Sequence, residues 1–191
     1  ISININGPWE QWDAETLVFN DDPGDHLLQS VAQDATGKAP GNDLLSFKVT
    51  KDNNNLYFLA VTADDIAWDN TPRRMRLLLN TDCDYATGWQ GYDYMVEYDP
   101  STKTFALKRN SADNRFSWKT IKQQLDARCE GNRLMLAVPK KAIKRKGNFD
   151  FDFKWVDNCN LDAGEPMLMY SDGDCAPNHR FNYRFKGSAS K

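Results

Sequence analysis

The sequence predicts an all-β protein: an antiparallel β-sandwich of jelly-roll or immunoglobulin-like type, with about ten strands and minimal helix. Three observations carry this prediction. Short runs of alternating apolar and polar residues recur at spacings of about 8–12 residues. Clusters of Gly, Pro, Asn and Asp separate those runs and supply turns. No stretch has the apolar period of a long amphipathic helix. At 191 residues the chain can bury a full core without help from metal or disulfides. It reads as one domain over residues 1–186, followed by a flexible tail at 187–191.

The elements follow in order. Ile1, Ile3 and Ile5 alternate as a short strand, stopped by Asn6-Gly7-Pro8. Trp9, Trp12 and a second apolar run, Leu17-Val18-Phe19, come next. Residues 20–43 are loop-like, with Asp21-Asp22-Pro23-Gly24-Asp25 and later Gly37, Pro40 and Gly41. A connection this long inside a domain is often functional. Leu45, Phe47 and Val49 form one strand face, and 51–55 is a turn. Residues 56–62 are apolar on both faces, which predicts a central strand covered on both sides. A polar loop carrying Trp68 leads to a strand at 75–79. Residues 93–98 and 104–107 form a hairpin about Asp99-Pro100-Ser101-Thr102-Lys103. Segments 116–118 and 121–128 are weaker strands. Residues 133–138 are a strand, and 139–144 a helical turn with proline first. Residues 148–156 carry the clearest alternation: Phe149, Phe151, Phe153 and Trp155 share one face, Asp150, Asp152 and Lys154 the other. Residues 167–170 and 180–185 complete the set as a last pair of strands.

Composition narrows the function. A net charge of −3 and a pI near 5.4 argue against nucleic acid, which requires a basic surface. The one basic cluster is Lys140, Lys141, Lys144, Arg145 and Lys146. No apolar run is long enough for a membrane span. No signal-peptide pattern opens the chain, which reads as either cytosolic or a processed, mature form. The four cysteines, Cys83, Cys129, Cys159 and Cys175, lack a C-x-x-C spacing, so zinc or thioredoxin-type chemistry has little support. Four cysteines permit two disulfides or four thiols, and Cys159 with Cys175 is the pair to test first.

The densest functional loop is 80–93, which holds three aspartates, two glycines and a tryptophan. Asp82, Asp84 and Asp93 are hard oxygen ligands, suited to a calcium ion. Their spacing matches the acidic positions of an EF-hand loop, but Thr87 stands where its glycine belongs and no helix flanks it. A calcium loop between strands and plain turn capping by the carboxylates both remain open. Only His26 and His179 are present and G-x-S-x-G is absent, so a nucleophile–histidine–acid triad has almost no support. The pairs Asp21/Asp22, Asp64/Asp65 and Asp172/Asp174 are candidate glycosidase dyads, although acidic loop residues more often serve turns. Trp9, Trp12, Trp68, Trp89 and Trp118 lie in or beside loops. An indole can stack on the apolar face of a sugar ring while polar neighbours bind its hydroxyls. Trp68, Trp89 and Trp118 are the candidate stacking residues, with Asn182 and Arg184 as polar partners. The competing reading packs each tryptophan beneath its loop.

Several stretches together carry a resemblance: Ile5-Asn6-Gly7 with Trp12; Asn55-Leu56-Tyr57-Phe58; Asp82-x-Asp84 with Thr87-Gly88-Trp89-Gln90-Gly91-Tyr92-Asp93; Phe151-Asp152-Phe153-Lys154-Trp155 with Asp157-Asn158; and Gly173-Asp174 through Arg180-Phe181-Asn182-Tyr183. The chain resembles the family 9 carbohydrate-binding-module-like domains of the DOMON-like β-sandwich group. It is most similar to the version at the C-terminus of secreted or surface glycan-processing proteins of Bacteroidetes-type bacteria. The resemblance implies a noncatalytic, extracellular, cell-surface or periplasmic module of polysaccharide utilisation. Such a module binds a polysaccharide or oligosaccharide, accompanies a linked or associated glycoside hydrolase, and carries structural calcium. Asn6 departs from the family's aspartate, and the cysteines lie outside its pattern. Two alternatives accompany this reading. One is an interaction domain that stabilises or docks a hydrolase without binding sugar. The other is a DOMON-type haem domain drawing on Met95, Met167, Met169 and His179.

Overall fold

The computed structural model describes residues 1–26 and 41–187; most of the long polar connection, 27–40, and residues 188–191 of the expected tail lie outside them. Among the described residues, twelve strands form two antiparallel sheets: β1 (Phe19–Asn20), β2 (Leu44–Lys51), β3 (Asn55–Thr62), β4 (Arg76–Asn80), β5 (Tyr94–Asp99), β6 (Thr104–Asn110), β7 (Trp118–Lys122), β8 (Asp126–Glu130), β9 (Arg133–Pro139), β10 (Phe151–Asp157), β11 (Asp174–Ala176) and β12 (Tyr183–Phe185). The five-stranded sheet runs β1-β2-β3-β9-β8, and the seven-stranded sheet runs β11-β10-β4-β5-β6-β7. Strand β12 joins the second sheet on the same edge of β10 as β11, pairing Phe151–Phe153 while β11 pairs Trp155–Asp157. The expected β-sandwich is the observed fold. No helix of the described residues is long and apolar enough to cross a membrane.

The inner faces follow the period-two pattern. Leu56, Phe58 and Ala60 of β3 meet Phe151, Phe153 and Trp155 of β10 in one core with Leu77, Leu79, Val96, Leu107, Leu134 and Leu136. Phe58 lies edge-on to Phe151 and Phe153, both at 6.0 Å between ring centres.

Both outer faces are also covered. On the five-stranded sheet, Ile3 and a 3-10 helix at Trp9–Ala14 bring Trp9 and Trp12 onto Tyr57, Leu59, Met135 and Ala137. Strand β3 is therefore covered on both sides, as its doubly apolar sequence predicts. Ile1, Ile3 and Ile5 do not form a strand: Ile3 alone is buried and Ile1 is exposed. On the seven-stranded sheet, loops 81–93, 111–118 and 158–182 form a roof. Trp89, Tyr92, Cys159, Leu161, Met169 and Cys175 pack there on Leu78, Met95 and Val156. Residues 167–170, expected as a strand, belong to a 3-10 helix at Pro166–Tyr170 within this roof, where Pro166 begins the turn and Glu165 accepts the Met167 N–H at 2.8 Å. Gly187, expected in the tail, is fixed by donating to Asp150 Oδ1 at 2.9 Å.

The roof buries Asp152 and Lys154 on one face of β10, and Asp157 ends the strand on the face shared with Phe151, Phe153 and Trp155. Asp152, Lys154 and Asp157 are almost inaccessible, so each charge must be compensated inside the protein. Asp157 receives four donors: Asn42 N–H at 2.6 Å, Asn42 Nδ2 at 2.9 Å, Arg74 Nη1 at 2.8 Å and Met75 N–H at 2.9 Å. It thereby ties the approach to β2 to the start of β4. Removing this carboxylate leaves Arg74 with Asp69 as its charged partner and deprives the buried Asn42 and Met75 N–H groups of their acceptor. Asp157→Ala is expected to lower unfolding free energy by about 3–5 kcal/mol, measured by urea denaturation; a loss below about 1 kcal/mol would mean the network adds no more than a surface pair.

Candidate functional site

The 80–93 loop is organised by capping and packing. Asp82 Oδ1 accepts the Asp84 N–H at 2.9 Å, and Asp84 Oδ1 accepts the Ala86 N–H at 2.8 Å. Asp93 Oδ2 accepts both the N–H (2.7 Å) and the hydroxyl (3.0 Å) of Thr81. The Thr87 hydroxyl sits between Asp82 Oδ2 (3.0 Å) and Asp93 Oδ1 (3.4 Å), joining the two ends of the loop. Trp89 and Tyr92 exchange backbone hydrogen bonds across Gln90 and Gly91, both at positive φ. Gly88 is required by close approach: a Cβ there would lie 2.1 Å from the Tyr92 carbonyl oxygen. The T-G-W-x-G-Y-D stretch thus drives Trp89 and Tyr92 into the roof.

Asp82, Asp84 and Asp93 do not make a joint ligand set. Among the described residues, one group of three His, Cys, Asp or Glu side chains brings its ligand atoms within 4.8 Å of one another, and it is Asp21, Asp25 and Asp174. Asp82 and Asp84 are exposed and spend their oxygens on turn N–H groups. Capping is the role this geometry supports. In the other group, burial and the neighbouring Asp25 carboxylate raise Asp21 to about 7. Burial raises Asp174 to about 9, with Asp25 and Asp21 adding to the effect.

None of the three candidate stacking tryptophans presents a free ring. Trp89 is 1 % exposed and lies edge-on to Phe116 at 4.8 Å. Trp118 continues that series, edge-on to Phe116 at 5.5 Å. Trp68 packs on Tyr98 at 4.4 Å and Phe105 at 5.6 Å, and lines a separate cavity of about 370 Å³ with Leu125 and Cys129. The structure does not bring the three together. Trp9 and Trp12 belong to the other roof. Cys159 and Cys175 are buried and close enough for the Cys159 thiol to hydrogen-bond Cys175, but all four cysteines are unbridged.

The exposed aromatic surface lies elsewhere, on the roof of the seven-stranded sheet. Tyr85 is 58 % exposed, Tyr170 42 % and Phe181 72 %. All three line a pocket of about 240 Å³, together with Gln90, Tyr92, Pro166, Met169, Arg180 and Asn182. One flank is the 81–93 loop, a second is the Pro166–Tyr170 helix, and the third is the approach to β12. The polar groups are held in place. Arg180 Nη2 donates to Gln90 Oε1 at 2.7 Å, and the Tyr92 hydroxyl donates to Asn182 Oδ1 at 2.6 Å. Tyr170 stacks on His179 at 4.5 Å, which fixes its ring plane.

The buried charges of β10 pin this rim from below. Asp152 accepts the Tyr85 hydroxyl at 2.8 Å and a two-point contact from Arg184 at 2.7 and 2.9 Å. Lys154 Nζ donates to the Pro177 carbonyl and, at 3.1 Å, to that of Phe181. Burial pulls the Lys154 pKa down. Of the two predicted polar partners, Asn182 lines the pocket, whereas Arg184 lies beneath it as the counter-ion of Asp152. Tyr85, Tyr170, Phe181, Gln90 and Arg180 were not legible as site residues. They come from three segments and share no spacing; the one signal they gave was an aromatic in a polar loop.

Known proteins offer no assignment, since no protein-family model matches the chain and no curated protein shows significant similarity to it.

If Trp89 is a packing residue, its removal acts on stability. Trp89→Ala is expected to cost about 3–5 kcal/mol in urea unfolding. A loss below about 1 kcal/mol would contradict the roof packing described above.

Proposed function

We propose that this domain is a noncatalytic carbohydrate-binding module of a secreted or surface glycan-processing system, and that its sugar site is the Tyr85–Tyr170–Phe181 pocket. The observation that carries this reading is the pairing of exposed aromatic rings with ordered polar groups. A saccharide offers an apolar C–H face and a rim of hydroxyls. Phe181 and Tyr170 supply the flat apolar surface, and Arg180, Gln90 and Asn182 supply donors and acceptors. The site needs little reorganisation because its polar groups already hold one another, which lowers the entropic cost of binding.

Two further points favour binding without hydrolysis. Among the described residues no carboxylate lines the pocket, whereas glycoside hydrolysis uses a facing pair. Asp152, which holds the Tyr85 hydroxyl from beneath, is paired with Arg184. The resemblance of the T-G-W-x-G-Y-D and F-D-F-K-W stretches to family 9 modules supports the same class of function, with an associated hydrolase as the partner.

Calorimetric titration with a panel of plant and host polysaccharides and their oligosaccharides tests the reading. At least one glycan is expected to bind. Tyr170→Ala and Phe181→Ala are each expected to weaken it by about 1 kcal/mol, roughly fivefold in Kd, with no loss of thermal stability. Absence of binding across the panel, or binding that both substitutions leave intact, would overturn it.

A further inference from the structure

We propose that Cys159 and Cys175 form a disulfide bond under oxidising conditions, and that this bond locks the neck of the roof loop 160–174. Cys175 lies in β11, opposite Val156 of β10, and Cys159 follows the end of β10. Both side chains are fully buried in the roof cluster, among Leu78, Trp89, Tyr92 and Met169. The Cys159 thiol reaches Cys175 as a hydrogen-bond donor and favours its thiolate.

Buried cysteine commonly serves as a small apolar side chain. What singles out this pair is its place, where the two ends of one loop are already held against each other. Asp157 pairs with Asp174 in the sheet. The Asn160 N–H donates to Asp172 Oδ2 at 2.6 Å. Gly173, at positive φ, fills the gap between these contacts; a Cβ there would lie 2.1 Å from the Asp157 carbonyl oxygen and 2.7 Å from the Cys159 nitrogen. Residues 157–160 and 172–175 are therefore one tight neck. Cysteines carried on chains held this closely can be joined without large backbone movement. The other two cysteines have no such placement. Cys129 is exposed on β8 of the five-stranded sheet, and Cys83 lies in the 81–93 loop, where it donates to the Asp150 carbonyl at 3.7 Å.

The structure holds the dithiol form, and closing the bond takes an oxidant of the disulfide class. The Cys175 thiolate attacks one sulfur of the oxidant, forms a mixed disulfide and expels the first thiolate. The Cys159 thiolate then attacks the Cys175 sulfur and expels the second. The protein gives up two electrons and two protons, and the oxidant leaves as two thiols. Both sulfurs are inaccessible in the closed roof, so the exchange takes place while the roof is forming or locally open. The loop so closed carries Pro166, Met169 and Tyr170, the helix flank of the pocket. The bond requires only the oxidant and fixes that flank whatever the pocket binds.

The test unfolds the full chain in urea with dithiothreitol and refolds it in two ways: in a mixture of oxidised and reduced glutathione, and in dithiothreitol alone. Alkylation under denaturing conditions and peptide mass spectrometry are expected to show Cys159 linked to Cys175 in the first sample, with Cys83 and Cys129 alkylated. The bridged protein is expected to melt roughly 5–10 °C above the dithiol form, the gain from closing a loop of about 15 residues in a chain of this size. Hydrogen exchange in 160–174 should slow on bridging, with β2 and β3 unchanged. In Cys175→Ala the melting temperature should be the same after either refolding. The proposal is overturned if all four cysteines are alkylated after refolding in glutathione, or if a different pair is linked. It is equally overturned if the Cys159–Cys175 bond forms and leaves both the melting temperature and the exchange of 160–174 unchanged.

Discussion

Strand β10 is buried on both faces, and most of the architecture follows from how its charges are accommodated. Phe151, Phe153 and Trp155 fill the sandwich core, Asp152 and Lys154 face a roof of loops, and Asp157 ends the strand on the core-side face. Charges removed from water in this way cost several kcal/mol each unless the protein replaces their hydration. Each one is therefore met by a specific segment: Asp152 by Tyr85 and Arg184, Lys154 by the carbonyls of Pro177 and Phe181, and Asp157 by Asn42, Arg74 and Met75. The segments that compensate the strand are long loops, which would otherwise have little reason to adopt one conformation.

This arrangement explains why the candidate ligand site lies outside the sandwich. The interior between the sheets is closed by aromatic and aliphatic packing. The roof is a thinner layer, with its own small apolar cluster about Trp89, Tyr92 and Met169, and its loops end in exposed rings. Phe181 and Tyr85 are the side chains whose neighbouring atoms are bound to Lys154 and Asp152. The same buried charges that stabilise the sheet thus position the rim.

Much of the sandwich was legible in the sequence because period-two alternation depends on neighbours only. The double-sided burial of β3, the hairpin at 99–103 and the core face of β10 all appeared there. What was not legible depends on contacts distant in sequence. The 167–170 segment alternates like a strand, yet Pro166 and the Glu165 cap turn it into a 3-10 helix. Asp82-x-Asp84 looked like a ligand pair, but its oxygens are used by turn N–H groups a few residues away. Asp21, Asp25 and Asp174 were seen only as members of separate acidic pairs and loops, since some 150 residues separate the first from the last. The tryptophans drew attention as the largest loop aromatics, and for the same reason they were the most useful for packing. The pocket was left to Tyr85, Tyr170 and Phe181, which nothing in their local sequence distinguished.

The most direct test of this account is hydrogen–deuterium exchange on Lys154→Met, which keeps side-chain volume but removes the charge that holds the roof. The account predicts faster exchange in residues 177–182 and in the 81–93 loop, with β2, β3 and β9 protected as in the original protein. Unchanged exchange in 177–182, or a uniform rise across both sheets, would contradict the claim that buried charge on β10 positions the rim.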